Sequence, residues 1–155
     1  MKLGALVYII KNKKVLMLHR NKNTNDSHYG RWVAPGGKIN FNETPADCAM
    51  REVLEETGLT LKNLKLSGFL TFPNIGNSPF GDLWYVWVFK STKFSGELID
   101  SPEGELQWIN IADLEKINMW DGDRIFTPLV FKNKIFDIEL IYDNNKFLNF
   151  KIRYI

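Results

Sequence analysis

Three glutamates lie close together in the segment Arg51-Glu52-Val53-Leu54-Glu55-Glu56-Thr57-Gly58. On a helix, residues three and four positions apart share a side, so these glutamates are predicted to project together. The like-charge pair Glu52 and Glu56 costs about 0.2–0.5 kcal/mol, and the last helical turn disfavours anions by about 0.3–1 kcal/mol. A divalent cation would turn both penalties into attraction, and an all-oxygen ligand set favours Mg²⁺ or Mn²⁺ over zinc. The alternative is a solvated acidic face, and the segment alone leaves both open.

The helix that carries the glutamates has clear ends. We predict it from about Pro45 to Thr57, with Thr44 as N-cap, Asp47 completing a capping box and Gly58 stopping the helix. Its apolar arc is predicted to face the core, and Cys48 is expected to pack there as well. The arc consists of Ala46, Ala49, Met50, Val53, Leu54 and Thr57.

The rest of the chain predicts strands more than helices. Alternating and β-branched runs bounded by turn residues predict a hairpin at each end of the chain and single strands between them. The predicted strands are residues 3–10, 14–20, 64–72, 83–90, 105–109, 135–142 and 147–154. We predict an exposed loop at 21–30, one or two helical turns at 112–117, and a helix at 123–132 capped by Asp121 or Asp123. Residues 1–155 are expected to form one domain, with helices packed on a mixed sheet.

Composition excludes several classes of protein. The 155 residues include 20 basic and 18 acidic side chains, a balance that indicates neither a nucleic-acid polymer nor a membrane surface as partner. The apolar run near the amino terminus is too short to span a bilayer. A single cysteine, Cys48, fits a reducing compartment, so we expect a cytoplasmic protein.

The surroundings of the glutamates resemble the Nudix box at every fixed position. Gly37 is followed after five residues by Glu43, and after seven more by Arg51 and the segment that ends at Leu59. The resemblance implies an α/β fold, the Nudix-type α/β/α sandwich with a mixed β-sheet. It also implies cleavage of a diphosphate linked to another moiety, supported by Mg²⁺ or Mn²⁺.

The resemblance implies a role for each conserved position of the box. Glu52, Glu55 and Glu56 would hold the metal together with the carbonyl of Gly36, and Glu52 would also orient or deprotonate the attacking water. Glu43 and Arg51 would fix the loop and the carboxylates.

Four further residues are candidates for the site. A carboxylate outside the box is usual in this family; Glu103, five residues before Trp108, is favoured for it and Glu105 is the fallback, with a solvated loop charge as the alternative. Arg20 and Lys38 are the nearest basic candidates for phosphate contacts; otherwise they are surface cations.

The rest of the chain resembles the MutT-type branch of the family, whose members act on oxidised purine nucleoside triphosphates. Phe72 falls where that branch has a base-contacting phenylalanine. Carried over by position, Trp120 would stack on the purine and Asp123 would hydrogen-bond its edge; the alternatives are a core tryptophan and a helix cap. The chain departs from the branch at Gly122, where the first aspartate of an acidic pair is expected, and at Val33, where an asparagine often contacts the base.

The leading hypothesis is therefore hydrolysis of an oxidised or other non-standard purine nucleoside triphosphate, of the 8-oxo-dGTP type, to the monophosphate and pyrophosphate. Two alternatives are a Nudix enzyme that acts on ADP-ribose or dinucleoside polyphosphates, and a non-catalytic nucleotide-binding module. His19 and His28 show no ligand spacing and are assigned no chemistry. The protein is expected to be a monomer or a homodimer.

Overall fold

A computed structural model describes residues 1–155. Its secondary-structure elements, in chain order, are β1 (Lys2–Lys11), β2 (Lys14–His19), β3 (Trp32–Val33), β4 (Gly36–Lys38), α1 (Pro45–Thr57), β5 (Thr60–Leu61), β6 (Lys65–Phe72), β7 (Trp84–Ser91), β8 (Phe94–Ser95), β9 (Glu105–Asn110), a 3₁₀ helix (Ile111–Lys116), α2 (Asp121–Val130), β10 (Phe136–Asp143) and β11 (Lys146–Tyr154). The predicted strands and α1 are thus confirmed, and four short strands are added to them.

Nine strands form one mixed sheet in the order β11-β10-β6-β7-β1-β2-β3, with β4 paired to β1 and β9 paired to β2. The pairs β1–β7 and β6–β10 are parallel, whereas the other pairs in this sheet are antiparallel. The two predicted hairpins are β1–β2 and β10–β11. Because β4 pairs with the middle of β1, the glycines of the box are held against a central strand.

The two helices cover opposite faces of the sheet. Side chains alternate along β1, so Val7 and Ile9 join the apolar cluster under α1 while Tyr8 joins the one under α2. Val53 fills the first cluster from α1, and Phe126 fills the second from α2. The α/β/α sandwich implied by the resemblance is the observed architecture. Neither helix has the length and apolar composition that crossing a bilayer would require.

The predicted core face of α1 was partly wrong. Met50 and Leu54 are 42% and 52% exposed, whereas Glu56 is buried. Cys48 is buried as expected. The helix is rotated toward its acidic side because the Glu56 carboxylate accepts a hydrogen bond from the backbone N–H of Gly36 on β4. A polar tertiary contact thus overrides the apolar arc that the helix would otherwise bury.

The predicted start and cap of the second helix were also wrong. Helix α2 begins at Asp121 rather than at residue 123 and ends at Val130. Its N-cap is Trp120, and no side chain caps it. The carbonyl of Trp120 accepts from the N–H groups of Asp123 and Arg124, so the buried tryptophan fixes the first turn. Neither Asp121 nor Asp123 acts as a cap.

Candidate active site

The box forms a loop between β4 and α1 in which glycine is required by space. A Cβ at Gly36 would collide with the carbonyl of Ala5 on β1, and one at Gly37 would lie 2.5 Å from the Glu52 carboxyl group. The side chain of Glu52 therefore lies directly against the backbone of Gly37. The glycines of the motif are there because strand β1 and a box carboxylate both approach the loop backbone.

Arg51 ties the loop to the helix. Its guanidinium donates to both carboxylate oxygens of Glu43, at 2.6 and 2.9 Å, and to Glu52 at 2.8 Å. It also donates to the carbonyl of Lys38 at 3.1 Å. The hydrogen bonds from Arg51, with one from the backbone N–H of Asn40, lower the pKa of Glu43 to about 2. Arg51 thus connects Glu43 and the backbone of the loop to the Glu52 carboxylate.

The three box glutamates differ in their surroundings. Glu56 is only 6% exposed, and burial raises its pKa to about 8, with the neighbouring Glu52 carboxylate adding to the rise. Glu55 is 58% exposed and contacts only Arg51, at 3.3 Å. A buried carboxylate beside a second one is a site that a cation would stabilise.

The donor set fits a divalent cation in type. Glu52, Glu56 and the loop backbone offer oxygen ligands only, which is the preference of Mg²⁺ and Mn²⁺. As the side chains stand, no group of three or more His, Cys, Asp and Glu residues forms a cluster that could hold a metal ion. Two of the carboxylates are instead engaged by Arg51 and by the N–H of Gly36. Each of these hydrogen bonds uses one carboxylate oxygen, so the other oxygen of Glu52 and of Glu56 would be available to a cation.

Arg20 links two acidic side chains beside the box. It donates to Asp26 at 2.7 Å and approaches Glu103 at 3.4 Å. Glu103 lies near enough to Glu56 to raise its pKa, and the charge of Arg20 lowers it. Glu105, by contrast, pairs its backbone with His19 and accepts from the side chain of Gln107. The geometry therefore favours Glu103 over Glu105 as the carboxylate that accompanies the box.

A pocket of about 230 Å³ gathers the residues singled out in the sequence for substrate. Its wall combines an arginine, a lysine and box glycines with an aromatic and acidic part. The sequence-predicted residues in this wall are Arg20, Gly36, Lys38, Phe72, Trp120 and Asp123. Their positions along the chain range from Arg20, directly after β2, to Asp123 in α2, so only the folded sheet brings them to one cavity.

Trp120 lines the pocket but is itself almost fully buried. Its side chain is 3% exposed, and the Arg31 guanidinium lies over one ring face, 3.7 Å from the centroid. Phe80 meets the indole edge-on at 5.0 Å, and the indole N–H donates to His28 Nδ1 at 2.8 Å. Arg31 itself does not line the pocket, and its guanidinium packs on the tryptophan ring through a cation–π contact.

Asp123 and its neighbour Gly122 occupy the first turn of α2. Burial raises the pKa of the Asp123 carboxyl group to about 7, against the opposing charges of Arg31 and Arg124. Gly122 stands where the related branch has an aspartate. A Cβ there would lie 2.6 Å from the hydroxyl of Tyr142, which accepts a hydrogen bond from the Gly122 N–H at 2.7 Å. An aspartate at this position would therefore require the Tyr142 side chain to shift.

Several residues of the pocket could not be predicted from the sequence. His28, which was assigned no chemistry, lines it and accepts from Trp120, 92 residues away. Phe80 and Trp84 also line it, and Arg31 holds Trp120. The loop at 21–30 is exposed in most positions as predicted, but His28 turns inward. No local pattern could reveal this, since the partners of His28 are distant in sequence.

The chain is similar in sequence to a known domain family and to named hydrolases. The sequence pattern of the NUDIX domain matches residues 1–130. The chain is 33% identical over 135 residues to the oxidized purine nucleoside triphosphate hydrolase of Danio rerio, covering 87% of this chain and 83% of that protein. It is 30% identical to the Mus musculus protein of the same name, with the same coverage.

A solved structure has the same fold as this chain over nearly the whole length of both. The mutator MutT protein from Bacillus halodurans has a TM-score of 0.84 and 27% identity, covering 98% of this chain and 97% of that one. With the loop–helix–loop described above, these similarities place the chain in the Nudix family. The protein is a Nudix hydrolase, and enzymes of this family generally depend on a divalent metal.

Proposed function

We propose that this enzyme hydrolyses oxidised or other non-standard purine nucleoside triphosphates to the monophosphate and pyrophosphate, with Mg²⁺ as the cation and Mn²⁺ as a substitute. The observation that carries the proposal is the single pocket whose wall joins the box glycines, Arg20 and Lys38 to Phe72, Trp120 and Asp123. A triphosphate and a base attached to it need both parts of such a wall. The names of the Danio rerio and Mus musculus relatives agree with this substrate class.

The base is assigned to the aromatic part of the wall. Phe72, Phe80 and Trp84 offer apolar and π surfaces there, and base–aromatic contact contributes about 1–3 kcal/mol per base. Trp120 contributes the surface that Arg31 and its other neighbours leave open. The Asp123 carboxyl, with a pKa of about 7, both donates and accepts when protonated and so reads a purine edge.

The phosphates are assigned to the part of the wall near the box. Arg20 and Lys38 supply positive charge there. Glu52, Glu55, Glu56, Glu103 and the Gly36 carbonyl are the groups assigned to hold the cation. When bound, the cation would neutralise phosphate charge and lower the pKa of a coordinated water. Arg51 keeps the Glu52 carboxylate in position to orient or deprotonate the attacking water.

A Mg²⁺-supported hydrolysis screen tests the substrate class. The substrates are dGTP, 8-oxo-dGTP, 2-oxo-dATP, ADP-ribose and a diadenosine polyphosphate. We expect turnover of the oxidised triphosphates with release of pyrophosphate. Turnover of ADP-ribose with release of two monophosphates, and none of the triphosphates, would show that the substrate class is wrong. Absence of turnover for all five would favour a binding module.

Replacing Glu56 by Gln tests the metal assignment. The amide keeps the size of the side chain and an oxygen that accepts from the Gly36 N–H, so the fold is expected to persist. A neutral amide binds a divalent cation far more weakly, and we expect turnover to fall at least 100-fold. Glu115→Gln, on the exposed side of the 3₁₀ helix, is the matched control. Full turnover in Glu56→Gln, measured by pyrophosphate release, would refute the assignment.

A further inference from the structure

His28 is a pocket residue that the proposed reaction does not yet use. It comes from the loop at 21–30, and its ring lines the pocket together with Phe80 and Trp120. The ring lies 6.0 Å from the Phe80 ring in a stacked arrangement and meets the Trp120 indole edge-on. A polar ring in a mostly aromatic wall is costly unless it is hydrogen-bonded, so its bonding pattern is informative.

The hydrogen bond from Trp120 fixes the tautomer of His28. An indole N–H can only donate, so His28 Nδ1, 2.8 Å away, must accept and carries no proton. Burial lowers the pKa of His28 to about 4, and the charge of Arg20 lowers it further. Above about pH 5 the ring is therefore neutral, and its single proton is on Nε2.

The backbone of His28 is also fixed. Asp26 accepts the N–H of His28 at 3.0 Å with one carboxylate oxygen and the Arg20 Nε–H at 2.7 Å with the other. The loop is therefore tied to the end of β2, and the ring cannot rotate without breaking the bond to Trp120. His28 is preorganised, which reduces the entropy lost when it binds a ligand.

The Nε2–H of His28 has no partner in the chain, in contrast to Nδ1. Like the Asp123 carboxyl, it is a polar group of the pocket wall left without a hydrogen bond. We propose that His28 determines base specificity by donating a hydrogen bond from Nε2 to an exocyclic carbonyl oxygen of the purine. A purine oxo group can accept the hydrogen bond from His28 Nε2–H. An exocyclic amino group would instead place its own N–H against this donor.

This inference rests on the proposed function for the identity of the ligand, and binding of nucleoside monophosphates tests it without turnover. Titration calorimetry in metal-free buffer would compare matched pairs: dIMP with dAMP, 8-oxo-dGMP with dGMP, and 2-oxo-dAMP with dAMP. For wild type we expect the oxo member of at least one pair to bind about tenfold more tightly, the effect of one buried hydrogen bond. Equal binding within every pair, or no binding, would overturn the proposal.

Three substitutions separate a direct contact from an effect through Trp120. His28→Asn keeps an acceptor where Nδ1 meets the indole but has no donor at the position of Nε2, so the preference is expected to disappear. His28→Gln places an amide N–H near Nε2 and is expected to recover part of it. Tyr29→Phe, on the exposed neighbour, should leave it unchanged. Retention of the full preference in His28→Asn would show that His28 acts only by holding Trp120.

Two further readouts keep the outcomes distinct. Long-range ¹H–¹⁵N NMR of the imidazole should show the Nε2–H tautomer from pH 5 to 8, and the other tautomer would refute the inference. The hydrolysis screen decides the proposed function separately. A preference that depends on His28 in an enzyme with no triphosphate turnover would leave the base contact standing and refute the reaction. Triphosphate turnover together with a base preference that does not change on substitution of His28 would support the reaction and refute the base contact.

Discussion

Two carboxyl groups of the site, Glu56 and Asp123, lie where burial disfavours their charge. For Glu56, a second carboxylate adds to the effect, which suits a cation site. For Asp123, the charges of Arg31 and Arg124 oppose the effect of burial on the pKa, and the carboxyl group makes no hydrogen bond. Two carboxyl groups therefore have different roles because their neighbours differ. The residue types alone do not reveal this difference.

Replacing Asp123 by Asn should change how stability depends on pH. The folded-state pKa of about 7 exceeds the ordinary 3.8, so the folded chain holds a proton that the unfolded chain releases. The contribution to stability is full below pH 3.8 and is lost as pH rises to 7. Relative to wild type, Asp123→Asn should gain stability over this interval, by up to about 4 kcal/mol.

Urea unfolding at pH 4, 5.5 and 7.5 measures this difference. Asp121→Asn, on the exposed neighbouring position, is the control and should follow wild type. A constant difference between Asp123→Asn and wild type at all three pH values would contradict the raised pKa.

At the level of elements, the unit that matters is β4, the loop and α1. The capping box between Thr44 and Asp47 starts the helix, and Gly58, with φ of 82°, ends it in the left-handed conformation. Arg51 then joins the first strand of the unit to its helix through Lys38, Glu43 and Glu52. The carboxylates of the box are thus positioned by contacts within about twenty residues of sequence.

Arg51→Lys should loosen this unit while keeping its charge. A lysine ammonium cannot donate to Glu43 in a bidentate manner and also reach Glu52 and the Lys38 carbonyl. We expect kcat/KM to fall about 10–100-fold, the usual effect of losing a partner of a metal ligand, with a lower melting temperature. Arg153→Lys, on exposed β11, is the control. Wild-type kcat/KM in Arg51→Lys would show that one point charge suffices.

At the scale of the whole molecule, the substrate side of the site depends on how α2 and the loop at 21–30 meet the sheet. Trp120 contacts His28 and Tyr142, which lie 92 residues before it and 22 after it. Gly122 lies against Tyr142 of β10 and is bonded to its hydroxyl. The departure from the MutT-type pattern at residue 122, in α2, is therefore accompanied by a contact with a tyrosine of strand β10.

A double-mutant cycle tests this packing. In an open helix, Gly122→Ala would stabilise the protein by up to about 1 kcal/mol. Here the new Cβ meets the Tyr142 hydroxyl at 2.6 Å, so we expect a loss of about 1–3 kcal/mol in urea unfolding. In a Tyr142→Phe background the same substitution should cost at least 1 kcal/mol less, since the hydroxyl is gone. Strictly additive effects would contradict the contact.

Features that depend on neighbouring residues could be predicted from the sequence. Residues 37–59 predicted α1 with its capping box and its terminal glycine, because caps act within one helix. The assignment of its glutamates as metal ligands stays a prediction. The alternating runs predicted the longer strands, and the Nudix resemblance predicted the sandwich. The single-domain and cytoplasmic expectations stay predictions.

The aromatic side of the pocket is built by contacts between residues that are far apart in sequence. The rotation of α1 follows from the bond between Glu56 and Gly36, and the start of α2 follows from the burial of Trp120. The role of His28 depends on a partner 92 residues away. These outcomes depend on which distant groups meet in the sheet and on the cost of leaving buried polar groups unpaired, and local sequence patterns do not encode either.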